Sequence, residues 1–326
     1  MDFTFSPEHE SVRDTIRRLC REELAPLVPE AEESESFPRQ VSRRWGELGL
    51  LGVRYPEKDG GSGMDKVSDC IVREELSYMS QAFATSWSAQ THLSIWPIWK
   101  IGTESQKERF FRPALSGDKI AGFALSEPDG GPNIRAMKTK AEKVEGGWKL
   151  SGSKLYITNA PIADFLMVAA RTSPELKPDA ISLFIVELPH KGFDVHKLRK
   201  EGIRGSETAL IHIEDPFVPD DCLVGERTGT YPVLLECLSE NRVGVAANAL
   251  ALARHGIPKP PFYMAGQVAG QTFSLHAEGE RVILTRGGAE RQEVELISPP
   301  AEAPSGQALP ITDPPNVVAE LPSAIC

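Results

Sequence analysis

The chain of 326 residues has no run of about 18 apolar residues, so nothing in it reads as a membrane span. Its opening, MDFTFSPEHE, lacks a basic stretch followed by an apolar one, which argues against an export signal. Cysteine is scarce. Cys20, Cys70, Cys222, Cys237 and Cys326 stand far apart, without metal-ligand spacing or a paired pattern, which fits a reducing cytoplasm. The seven histidines show no metal spacing either. Positive charge is outnumbered, 36 Lys and Arg against 46 Asp and Glu for a net charge of -10, which argues against a nucleic-acid partner held by phosphate neutralisation. A phosphate-bearing ligand would depend on local basic groups or helix ends.

What is present reads as a multidomain α+β chain. Ser6 as N-cap, Pro7 in the first turn, Glu8 and Glu10 near the positive dipole end, and Val12, Ile16 and Leu19 at helical spacing predict a first helix ending near Pro26. Residues 41–51 predict a second, closed by Gly49 and Gly52 before the turn-rich string at 57–63. Segments 71–80, 82–95 and 104–115 complete an all-α N-terminal domain over 1–118. Near Ile120 the period becomes alternating and turns become frequent. Short apolar runs around Trp148 and Leu150, and at 165–169, 181–186 and 210–213, predict a middle β-domain over 119–230, a sandwich or barrel. Helical spacing returns over 233–254, the first helix of a C-terminal domain that occupies 231–254. The remaining 255–326 carry ten prolines and seven glycines, too many for a helical bundle, since each interior proline costs about 3 kcal/mol. A hairpin around Gly287 and Gly288 within 281–297 is expected there, in a tail otherwise irregular.

The string FALSEPDGGP at 123–132 is a strand running into a Gly-rich turn. Such a turn lets backbone N–H groups approach a phosphate or a flavin edge, and is equally a plain surface loop. It has company: GSKLYITNA at 152–160 and LRKEGIRGSETALIHIEDPFVPDDCLVGE at 198–226 follow in order, and LGLLGVRYPEKDGGSG at 48–63 and IGTESQKERFF at 101–111 precede it. Together these motifs, over roughly residues 1–254, resemble the acyl-CoA dehydrogenase family.

The resemblance implies a helical domain, a β-domain and a second helical domain, with FAD between the last two and an acyl-CoA thioester against the flavin. It places Phe123, Leu125, Ser126, Gly131 and Pro132, and Tyr156, Ile157 and Thr158, at the cofactor, and Pro132 and Arg242 at the substrate. For the residues alone, Ser126 and Thr158 are equally strand hydroxyls, Tyr156 a core ring and Arg242 a surface cap. Two departures stand out. Gly131-Pro132-Asn133 replaces the family's Gly-Ser-Asp, removing a hydroxyl and a backbone N–H. Most members place the proton-abstracting glutamate late in the third domain, a region without counterpart here. Some place it directly before the arginine, where this chain has Asn241. Glu240 is the remaining candidate base, turned about 100° around the helix, and for the residue alone it reads rather as a solvated acid at the helix start. The basic run 196–200 is either a CoA-phosphate contact or a solvated strand edge. The expected function is oxidation of an acyl-CoA to its 2,3-enoyl form, with electrons passed to an electron-transfer flavoprotein, in an oligomer of the chain. The alternatives are a truncated homologue that binds without catalysis, and a flavin oxidase or monooxygenase of the same fold.

Overall fold

A computed structural model describes residues 4–130, 133–174 and 180–255, together with the backbone of 263–268, 271–278, 281–286 and 290–294. Helix α1 (Pro7–Leu19) starts as expected. The Ser6 hydroxyl accepts the His9 N–H at 3.2 Å and the His9 ring accepts the Ser6 N–H, a capping box with histidine in place of the usual Glu or Gln. The chain then continues as a π-helical turn, Cys20–Leu24. After α2 (Val28–Ser34) comes α3 (Arg39–Glu47), shorter at its end than the expected 41–51. Gly49 takes φ +70°, which breaks the helix and sends Leu50–Gly52 into a separate 3-10 turn. Helix α4 (Lys66–Met79) is capped by Asp65, and α5 (Gln81–Ser88), capped by Ser80, runs on as the π-helical Ala89–Ser94. Short helices α6 (Trp96–Ile101), α7 (Glu104–Gln106) and α8 (Arg112–Leu115) close the region.

The middle region is one curled mixed sheet made of β1 (Ala121–Ala124), β2 (Lys140–Val144), β3 (Gly147–Thr158), β4 (Phe165–Arg171), β5 (Ile181–Glu187), β6 (Phe193–Lys197) and β7 (Thr208–Pro219). Strand β4 organises it. It pairs antiparallel with β5 along its whole length, so β1 and then β2, both parallel to it, must share its other edge. From β2 the sheet continues antiparallel through β3, β7 and β6. Every residue of β4 is buried, which explains its unbroken apolar run. The sheet's core is continuous with Tyr55, Ile95, Trp96, Phe110 and Phe111 of the helical region, while Phe37, Trp45, Phe83 and Trp87 centre a second cluster among the helices.

Helix α9 (Tyr231–His255) follows, where the pattern predicts 233–254. It buries Leu234, Cys237 and Ala251, with the Cys237 thiol donating to the His92 carbonyl. Beyond it four strand segments are described where one hairpin was expected. Strands β8 (Tyr263–Val268), β9 (Gln271–Glu278), β10 (Arg281–Arg286) and β11 (Glu290–Val294) form an antiparallel meander. The β10–β11 pair is the expected hairpin. The two earlier strands escaped the composition argument because the prolines of the tail lie outside these four segments.

Candidate functional site

The two motif segments of the middle domain meet. Strand β1 carries the buried Phe123 into Leu125 and the exposed Ser126, whose carbonyl accepts the Leu155 N–H at 2.9 Å. Close passage depends on Gly122: a Cβ there would lie 2.8 Å from Leu166 and 2.9 Å from the Thr158 carbonyl. Between Lys154 and Ile157 the β3–β7 register slips through a bulge, and Tyr156 sits at φ +61°. The bulge reverses the alternation of β3. Ile157 turns into the core, 1 % exposed, and Tyr156 turns outward, 70 % exposed, with Thr158 on the same outer face. Tyr156 is therefore not a core ring. The Ser126, Tyr156 and Thr158 hydroxyls have no hydrogen-bond partner among the described residues. Asn159 anchors the end of the segment, its amide donating to the Ser86 and Ala121 carbonyls at 3.0 and 3.1 Å. Alongside opens a cavity of about 220 Å³ lined by Leu125, Ser126, Glu127, Gly130, Asn133, Ile134 and Met137. Gly131 and Pro132 lie outside the described residues.

Beneath this edge Lys154 and Glu127 form a buried pair. The Lys154 ammonium donates to Glu127 Oε1 at 3.0 Å and to the Leu125 carbonyl at 3.1 Å. Glu127 also accepts the Lys138 and Thr139 N–H groups at 2.6 and 2.9 Å. Burial pulls the ammonium down to about 8 against the attraction of Glu127. Burial alone would raise the Glu127 carboxyl, but Lys154 and the hydrogen bonds from Thr139 and Lys138 hold it below its usual range. The sequence carried a signal for this pair: Trp148, Leu150, Gly152 and Lys154 share the inward face of β3, and a lysine there demands a carboxylate.

On α9 the residues sort differently. Glu240 is not a free solvated acid: its carboxylate accepts from Lys66 Nζ at 2.8 Å and Arg54 Nη2 at 2.9 Å, and the Lys66 hydrogen bond leads in holding it low. Glu240→Gln is expected to reduce stability by about 1 kcal/mol, read as a shift in the urea midpoint, because it weakens a partly exposed ion-pair network joining α9 to the N-terminal region. Asn241 Oδ1 accepts from Arg73 Nη2 at 2.5 Å. The sequence reading missed Arg73, which is fully buried and drawn down to about 10 by burial. It packs onto α9 where Gly244 leaves room, since a Cβ on Gly244 would fall 2.0 Å from its Nη1. Beside Arg73, His92 Nε2 lies 2.7 and 3.0 Å from the Asp69 oxygens, with both side chains 1 % exposed. Burial pushes the His92 imidazole down to about 4. Burial would raise Asp69, but His92, Arg73 and Arg54 hold it low.

Arg242 is exposed and unpartnered among the described residues. The basic run at 196–200 is occupied. Lys197 reaches Glu207 at 3.2 Å and the Glu35 carbonyl, which ties the sheet to the helical region, and Lys200 donates to the Ser206 carbonyl and to Thr208 within the β6–β7 connection. No group of three or more metal-ligating side chains occurs among the described residues, and none of their helices is long and apolar enough to cross a membrane.

Comparison with known proteins bears on the family. Residues 6–118 match the N-terminal domain of acyl-CoA dehydrogenases and residues 122–216 the middle domain. The chain is 34% identical over 265 residues to a short-chain-specific acyl-CoA dehydrogenase of Clostridium acetobutylicum, a match covering 81% of this chain and 70% of the relative. It is 36% identical over 247 residues to the mitochondrial short-chain-specific enzyme of Bos taurus, covering 76% of this chain and 60% of that one. Among solved structures, a glutaryl-CoA dehydrogenase of Mycobacterium smegmatis in complex with FADH2 superposes with a TM-score of 0.72 at 30% identity, over 78% of this chain and 64% of that one. The chain thus spans between about three fifths and 70% of the length of these relatives.

Proposed function

The chain belongs to the acyl-CoA dehydrogenase family, and from that premise we propose that it binds FAD along the Leu125–Ser126 and Tyr156–Thr158 edge and presents an acyl-CoA thioester to it for oxidation. One observation carries the reading: the bond from the Leu155 N–H to the Ser126 carbonyl joins two segments far apart in sequence into one edge bearing three unpartnered hydroxyls and an outward aromatic ring. A free Ser126 hydroxyl on the cavity wall, with the Tyr156 and Thr158 hydroxyls on the neighbouring bulged strand end where Tyr156 is left-handed, suits a flat ligand with donors and acceptors along its rim.

The donor set fits a flavin. FAD, when bound, supplies the hydride acceptor. The chain's own part is to hold and cover it: Ser126 and Thr158 offer hydroxyl hydrogen bonds, Tyr156 an aromatic face, and Leu125 an apolar surface that excludes water. The proton acceptor is not assigned to α9, where Glu240 is engaged by two cations and Asn241 by Arg73. An electron-transfer flavoprotein is the proposed electron acceptor. The clamped Glu240 also favours a second reading, in which the protein holds flavin and thioester with little turnover.

The visible absorption spectrum of the purified protein tests the first reading. Near-stoichiometric flavin is expected, and protein that takes up no FAD even from excess would refute it. Thr158→Ala is expected to weaken FAD binding about fivefold to tenfold through loss of one hydrogen bond. Thr172→Ala, whose hydroxyl instead meets Ser182 and the Ala180 carbonyl within β4–β5, should lower stability and leave flavin content unchanged. Equal affinity in both variants removes Thr158 from the site.

A further inference from the structure

We propose that the buried Lys154–Glu127 pair is a positioning device for the cofactor edge: the ammonium fixes the Leu125 carbonyl and the Glu127 carboxylate, and so sets Ser126 and the backbone at Lys138 and Thr139 in the arrangement that takes up FAD. This rests on the flavin reading of the same edge.

Lys154 is fully buried and Glu127 nearly so, at 0% and 7% side-chain exposure. The pair lies beneath residues whose outward atoms are free. Lys154 stands on β3 just before the bulge that exposes Tyr156, and its ammonium crosses under the end of β1 to reach both Leu125 and Glu127. Both Glu127 oxygens are engaged, Oε1 by Lys154 and the Thr139 N–H, Oε2 by the Lys138 N–H. One carboxylate therefore joins the end of β1 to the approach of β2 beside the cavity. A second tie, from the Leu155 N–H to the Ser126 carbonyl, lies one residue further along each segment.

A pair of this kind is a poor way to gain stability. Well-packed apolar residues of similar volume are commonly as stable as a buried ion pair or more so, whereas removing one partner strands a charge. Apolar residues could not hold the Leu125 carbonyl or gather the two loop amides. What the pair supplies is geometry at the edge. Among the described charged groups, only Glu127 acts on the ammonium; the neighbouring Lys138 ammonium points away to Asp129. With the ammonium drawn down to about 8, proton loss in mildly alkaline solution would release Leu125 and leave Glu127 without its cation.

The experiment compares Lys154→Met, Glu127→Gln and the neutral double variant by FAD titration, urea unfolding and amide hydrogen exchange. Each single variant is expected to lower both FAD affinity and stability, affinity by about tenfold. The double variant should recover stability but not affinity, a split that a merely structural pair would not show. In the unaltered protein FAD affinity should fall by about tenfold between pH 7.5 and 9.5, and in the double variant it should stay flat. Without FAD, the Lys138, Thr139 and Leu155 amides should exchange faster in all three variants while those of β4 and β5 do not change. Recovery of affinity along with stability in the double variant, or a flat pH profile in the unaltered protein, overturns the proposal. If the single variants do not fold, the double variant and the pH profile decide. If the unaltered protein takes up no FAD, the flavin reading fails by itself, and unchanged exchange at the three amides then overturns the positioning role as well.

Discussion

Supplied with short-, medium- or branched-chain acyl-CoA and an artificial electron acceptor, this protein is expected to turn over at only about 0.001–0.1 per second, some 10²–10⁴-fold below a typical enzyme rate of about 10 per second. The shortfall is the part of the rate that a positioned proton acceptor on α9 would supply. Of the two α9 residues at issue, Asn241 is an amide, and its oxygen already accepts from a buried guanidinium. Glu240 is ionised, but abstraction of an α-proton would require its carboxylate to leave Lys66 and Arg54, both within 2.9 Å. Glu240→Gln should accordingly leave the residual rate unchanged within about threefold, well inside the contribution of general base catalysis. Rates of 1–10³ per second that disappear in Glu240→Gln would show instead that the clamp opens and that Glu240 is the base.

Asp69→Ala is expected to destabilise the fold by about 3–5 kcal/mol, the usual cost of stranding buried partners. Asp69 is the carboxylate hydrogen-bonded to His92 and the negative charge that acts most on Arg73, all three essentially inaccessible. Acid should act on the same cluster. In the folded state His92 resists protonation until the pH falls toward about 4, whereas the unfolded chain takes up that proton near 6.5. The unfolded state therefore binds more protons in that window, and the contribution is complete above pH 6.5 and lost as pH falls from there to 4. The loss is on the order of 3 kcal/mol. Urea midpoints at pH 7 and pH 5, for the unaltered protein and for His92→Gln, measure it: the variant should be weaker at pH 7 yet less sensitive to acid. Equal sensitivity would mean that His92 is not the group responsible.

What could be read in advance and what could not divide by range along the chain. The Ser6 cap, the apolar run of β4 and the helical spacing of α9 are local signals, and each element formed where its residues indicate. Ends drifted where one backbone angle decided them, as at Gly49. The motif segments were legible as strings. That they share an edge depends on the β3 bulge, which inverts the alternation at Tyr156 and cannot be inferred from residue types. The Arg73–Asn241 contact was out of reach for another reason. Its partners are 168 residues apart, and nothing in either neighbourhood marks an arginine on α4 as buried. A lysine at the fourth inward position of β3 was, by contrast, a readable anomaly.

That long separation sets a timetable for synthesis. Helix α4 is complete early, but the helix that covers its Asp69 and Arg73 side emerges much later. At about 5–20 residues per second, the 168 residues between Arg73 and Asn241 take roughly 10–30 seconds to make. Throughout that interval the charged groups of α4 have water where α9 will lie, and desolvating them belongs to a last docking step. The N-terminal helices and the sheet can fold as they leave the ribosome, while the dry cluster of Asp69, His92 and Arg73 is among the latest parts of the nascent protein to be sealed.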